Sequence, residues 1–137
     1  MMWTATIWGQ PISVNDIYEI QWRYASNGRR YKGIGKKPGA VQYQNDATLQ
    51  FKVSKPSRWT PDGYIRVVYQ MFLGHDVDTD NAIKCLSDAL QEATGINDRM
   101  FLHCIASKEI DHKRPRVVVT ISPEMGCHCP VLEQNPV

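Results

Sequence analysis

Residues 76–98, DVDTDNAIKCLSDALQEATGIND, decide the fold. They hold six of the fourteen acidic residues (Asp76, Asp78, Asp80, Asp88, Glu92, Asp98) and one basic residue, Lys84, in a chain of net charge +2. Ala82, Ile83, Leu86, Ala89, Leu90 and Ala93 recur every three or four positions, the spacing of one buried helix face. Thr94-Gly95 closes the pattern with a C-terminal glycine. One of Asp78, Thr79 and Asp80 is expected to cap the helix, which sets the carboxylates at its positive end. Lys84 lies one turn further in on the Asp80 side, and Asp88 continues the stripe. A run of i,i+4 ion pairs is therefore expected, each worth roughly a few tenths of a kcal/mol.

Asp76, Asp78 and Asp80 stand at every second position and repel one another, by about 4 kcal/mol for a pair roughly 4 Å apart at a surface-like dielectric. A divalent cation relieves this. Mg²⁺ takes hard oxygen ligands, one or two of them carboxylates, and fills the rest of its shell with water and phosphate. An isolated acidic cluster is more often a solvated helix cap, but Lys84 one turn in would supply a phosphate-facing cation. A calcium loop matches at Asp76, Asp78 and Asp80 and then fails: Asn81 stands where the turn needs Gly, and Ser87 where the bidentate Glu belongs.

The pattern Asp78-x-Asp80-Asn81-x-x-Lys84-x-x-x-Asp88-Ala89-Leu90, with Asp98 downstream, resembles the core motif of RusA-type Holliday junction resolvases. Pro11-x-Ser13-x-Asn15-x-x-Tyr18 extends the resemblance toward the N-terminus. The family is one of small, homodimeric, Mg²⁺-dependent endodeoxyribonucleases of bacteria and prophages. The resemblance implies that Asp78, Asp80 and Asp98 are the catalytic, metal-holding carboxylates, that Mg²⁺ (or Mn²⁺ in its place) is the cofactor, and that Lys84 is the essential lysine. It also implies a C₂ homodimer matched to the two symmetric strands of a four-way junction. Asn97 stands where the family often has a second acid, and His75-Asp76 where it often has basic or Pro-rich sequence. Whether Asp76 joins the metal is left open by the residues.

With 137 residues, 42% hydrophobic and 22% charged, one domain (1–122) can bury a core without disulfides or a structural metal. No apolar run is long enough to span a bilayer, and MMWTATIW lacks the features of a signal peptide, so a cytoplasmic protein with no membrane partner is expected. Residues 123–137 read as a loosely ordered tail. Cys85 and Cys104 read as small core residues. Cys127-His128-Cys129 lacks the second ligand pair of a zinc site.

Thr4 to Trp8 alternates as a first strand. Two extended segments between Ile17 and Ile34 join at Ser26-Asn27-Gly28, a hairpin signal. This region and the loop after it interleave Arg23, Arg29, Arg30, Lys32, Lys36 and Lys37 with Trp22, Tyr24 and Tyr31. Cations that neutralise phosphates among rings that stack on splayed bases point to DNA contact, to which Asn15 is added. Residues 39–53 show a pattern mixed between helix and strand, and the resemblance implies a helix there; 64–73 are expected to form a central strand that delivers the acidic run at its C-terminal end. Residues 100–110 and 116–121 complete the sheet. His112-Lys113-Arg114-Pro115-Arg116 joins them, either as an exposed hairpin turn or as a second basic patch through Lys113 and Arg114. The expected fold is α/β (α+β): a small mixed sheet packed by two main helices. The expected reaction is metal-assisted hydrolysis of branched DNA by paired nicks. A non-catalytic branched-DNA binder, and a nuclease acting on other branched replication intermediates, are the alternatives.

Overall fold

The computed structural model describes residues 1–124. Cys127-His128-Cys129 and the rest of 125–137 lie outside the described residues. In chain order the elements are β1 (Trp3–Trp8), a 3₁₀ turn (Val14–Asp16), β2 (Tyr18–Tyr24), β3 (Arg30–Lys36), α1 (Pro38–Ser54), β4 (Ile65–Leu73), α2 (Thr79–Thr94), a second 3₁₀ turn (Asp98–Met100), β5 (Phe101–Ile110) and β6 (Arg116–Pro123).

β4 is the central strand. Ile65, Val67, Tyr69, Met71 and Leu73 are fully buried, while Arg66 and Gln70 between them are exposed, the period-two signature of a strand with one covered face. β6 pairs with it antiparallel and β5 parallel. β1 adds antiparallel to β6, giving the order β1-β6-β4-β5. The parallel β4–β5 pair needs a crossover, and α2 is that crossover. α2 buries Ala82, Cys85, Leu86, Ala89 and Leu90, and α1 buries Ala40, Tyr43, Ala47 and Phe51. Both helices pack together over the sheet in one core cluster. Pro38 opens α1, where a missing N–H costs nothing, and Lys55-Pro56 ends it. Gly95, at φ 74°, ends α2 and donates its N–H to Gln91 O at 2.8 Å, the left-handed cap that glycine accepts without penalty.

The hairpin forms a separate two-stranded ribbon, so the mixed sheet, the ribbon and two helices make an α+β fold. Gly28 N donates to Ala25 O, Ala25 N to Arg29 O, and within this turn Gly28 alone takes positive φ, 82°. This is a type I turn followed by a left-handed glycine, the common three-residue hairpin loop.

Two expectations are corrected. Cys85 is buried as expected, but Cys104 is exposed. β5 is an edge strand of the sheet, and Cys104, paired in register with half-buried Val68, points away from the helices. Residues 112–116 do not form a hairpin turn, because β5 and β6 flank β4 and do not pair with each other. The connection passes the C-terminal end of β4, where Asp111 N donates to Leu73 O at 2.7 Å.

Candidate active site

The acidic run leaves β4 and is fastened at once. Gly74 N donates to Gln10 Oε1, Gln10 Nε2 donates to His75 O at 3.4 Å, and His112 Nδ1 bonds Gly74 O. Asp76 is taken by an ion pair with Lys108. Asp78 is the N-cap of α2, yet its carboxylate makes no capping hydrogen bond. Asp80 follows in the first turn, exposed. Neither Asp78 nor Asp80 has an ion-pair partner among the described residues.

Lys84 keeps one of the two pairs expected of the stripe. Its amine bonds Asp88 at 3.2 Å and forms no ion pair with Asp80. The Asp88 hydrogen bond and charge hold Lys84 above its ordinary pKa against partial burial, with smaller contributions from Tyr18 and Asp98. It is therefore a fixed cation. Asp98 folds back onto the helix, its N–H donating to Gln91 Oε1 at 2.8 Å, but onto the C-terminal half. The sixteen residues of α2 span about 24 Å, and because β4 and β5 run parallel, Asp78, beyond the end of β4, and Asp98, before the start of β5, lie toward opposite ends of the sheet. The described residues contain no group of three or more His, Cys, Asp or Glu placed to hold a metal.

The structure thus sets Asp78 and Asp80 in one turn, and gathers Lys84, Asp88 and Asp98 further along the helix. Two unpaired carboxylates at a positive helix end fit a magnesium ion, which uses one or two and leaves its other positions to water and phosphate. A three-carboxylate cage is not formed by this arrangement. Asp88 belongs both to the helical stripe and to the family-like motif but was given no role at the site; its spacing of four from Lys84 was the signal for the bond it makes. An open cleft of about 600 Å³ runs beside it, with Lys36, Gln91 and Asn97 among its walls.

The basic residues divide by position. Arg30 and Lys32 lie over the Trp22 ring, at 4.1 and 5.6 Å from its centroid. Lys36 reaches the cleft and bonds Gln44. Arg23 is tied to Ile34 O at 2.8 Å on the opposite face of the ribbon. Arg29 sits at the turn, and Lys37 approaches Asp16 at 4.0 Å. Asn15 is exposed on the 3₁₀ turn that packs against α2. Lys113 and Arg114 are exposed on a loop whose backbone is gathered around Asp111. That loop touches Gly74, so it stands beside the acidic run.

His103, on β5, bonds Tyr69 OH through Nδ1 at 2.8 Å, with Ser87 Oγ 3.5 Å from Nε2. The residue lies exposed on the edge strand, but partial desolvation of its ring between Tyr69 and Ser87 lowers its pKa below 6.5, and the charge of Asp98 opposes the shift. A lowered base binds its proton less readily folded than unfolded, so this residue contributes stability above pH 6.5 that is lost as pH falls through that value. Urea melts on either side of pH 6.5 should show that loss, and His103→Gln should flatten it; an unchanged slope would remove His103 as its source.

Among the described residues no helix is long and apolar enough to cross a membrane. A family model described as "Endodeoxyribonuclease RusA" matches residues 29–122. A search of curated proteins found no match.

Proposed function

Since the chain belongs to the RusA family of endodeoxyribonucleases, which resolve Holliday junctions, we propose that it is a Mg²⁺-dependent enzyme cutting four-way junctions by paired symmetric nicks. The observation that carries the metal reading is the pair Asp78 and Asp80, free of capping bonds and ion pairs at the positive end of α2.

Asp78 and Asp80 would hold the cation, which when bound supplies an activated water and offsets charge on the scissile phosphate. Lys84, kept protonated and aimed by Asp88, orients the phosphate and stabilises negative charge as it develops. Lys113 and Arg114 on one side, and the ribbon cations on the other, hold DNA backbone against the acidic stripe between them. Asp98 joins the metal if the cation or the DNA draws residues 96–98 toward the start of the helix; otherwise it acts on the Lys84 side. Two protomers related by C₂ symmetry would present two such sites to the two strands cut.

The test is the purified chain with a synthetic mobile four-way junction, in Mg²⁺ or in EDTA. Paired, symmetric nicks with Mg²⁺ alone are expected. A gel shift without nicks in either buffer would replace the nuclease reading with that of a junction binder.

A further inference from the structure

The ribbon poses a problem of its own. Alternation on β2 should bury one face, yet Ile20 is 70% exposed, Trp22 54% and Tyr24 70%, as is Ile34 opposite Ile20 on β3 at 73%. The register explains which side chains share that face: Trp22 lies opposite Lys32 and Tyr24 opposite Arg30, while Glu19, Gln21 and Arg23 project from the other side opposite Gly35, Gly33 and Tyr31. Toward its tip that face therefore sets Trp22 and Tyr24 on one strand against Lys32 and Arg30 on its neighbour, with the exposed pair Ile20 and Ile34 nearer the root and no acid among its described residues.

The opposite face is built flat. A Cβ on Gly33 would stand 2.7 Å from Arg23 Nε, and one on Gly35 would strike the Gln21 amide. Glycine at both places lets Arg23 lie across the ribbon to Ile34 O and Gln21 reach Lys36 O at 3.1 Å. The guanidinium of Arg23 is thereby occupied, and the cations left for a ligand are those beside the rings.

We infer that this aromatic-cationic face holds unpaired nucleotides at the branch point of the DNA, with a base stacked against Trp22 and its phosphates on Arg30 and Lys32. The inference rests on the family's action on junctions. Charge selects a polyanion. Spacing selects bases: side chains two apart on a strand stand about 6.8 Å apart, twice the roughly 3.4 Å between neighbouring bases of one DNA strand, so one base fits between Trp22 and Tyr24 as the Arg30 guanidinium, which lies over the Trp22 ring in this structure, moves to its phosphate. Base–aromatic stacking is indifferent to sequence, as a branch-point contact must be on a mobile junction. Lys36 at the root lines the cleft beside Asp88, so a strand held on the ribbon is led toward Lys84.

The experiment uses the full chain in EDTA with three probes: a four-way junction carrying 2-aminopurine at the branch point, an oligodeoxythymidylate single strand, and a linear duplex. Trp22→Ala should weaken junction and single-strand binding by about 5- to 150-fold and abolish the 2-aminopurine response, leaving duplex binding within about threefold. Trp22→Phe should restore most of it. Arg30→Ala and Lys32→Ala should each reduce the log-log salt slope by about one, and Arg23→Ala should not. Circular dichroism identifies any misfolded variant, for which Tyr24→Ala serves as the second probe of the same face. Equal weakening on all three probes would make the ribbon a duplex-groove reader and overturn the inference, as would indifference to Trp22→Ala. Wild-type protein that nicks junctions but ignores Trp22 sinks only this inference. Trp22-dependent binding without nicking in Mg²⁺ sinks only the nuclease reading.

Discussion

Asp80→Asn should lower the junction-cleavage rate by about 10³-fold or more while leaving junction affinity in EDTA within about threefold. A metal ion contributes several kcal/mol of transition-state stabilisation, and each 1.36 kcal/mol is about tenfold in rate. Asp80 lies in the first turn of α2 with no ion-pair partner among the described residues, so removing its charge disturbs little besides cation binding. Losing an acid also weakens repulsion of the DNA backbone, so affinity without metal should hold or rise slightly. An equal loss of binding and cleavage would count against a metal at this turn. Asp98→Asn separates the two roles open to that residue. A fall in Mg²⁺ affinity matching that of Asp80→Asn would bring it into the metal shell; lost cleavage at unchanged Mg²⁺ affinity would assign it to the Lys84 side.

The second large effect is on the fold. Phe51 is fully buried on the inner face of α1 and meets Trp3 edge-on, ring centroids 6.5 Å apart. Phe51→Ala should cost about 3–5 kcal/mol, part transfer free energy and part cavity. Against the roughly 5–15 kcal/mol total typical of a domain, urea or thermal melts should show a large fraction lost. Val53→Ala, two residues on but 73% exposed, should stay within about 0.5 kcal/mol. Similar losses at both positions would mean that α1 does not pack as described.

What was legible in the chain follows periodicity. The strand at 65–73 and the helix at 79–94 with its Gly95 cap were written in local spacing, because burial of one face enforces a period; the ribbon, which buries neither face, was written in its Asn27-Gly28 turn. Partner choice was not written there. Nothing local says that β6 lies between β1 and β4, so the exposure of Cys104 on an edge strand and the crossing path of 112–116 were hidden. Lys84 stands four residues from both Asp80 and Asp88, and only the folded packing selects Asp88. Arg23 and Arg30 looked alike as cations of one basic stretch; the register of the ribbon puts them on opposite faces. The motif identified the family, but the helix between Asp80 and Asp98 carries its own length, which a motif does not display.

Lys37 N donates to Ile17 O and closes the ribbon at its root, and among the described residues the ribbon's hydrogen bond to the body lies there too, from Lys36 Nζ to Gln44 on α1. Strands of seven residues extend about 23 Å from that anchor. Such an arm has the geometry of a lever: at that length, each few degrees of tilt at the base would displace the tip by ångströms while leaving α2 and its carboxylates in place.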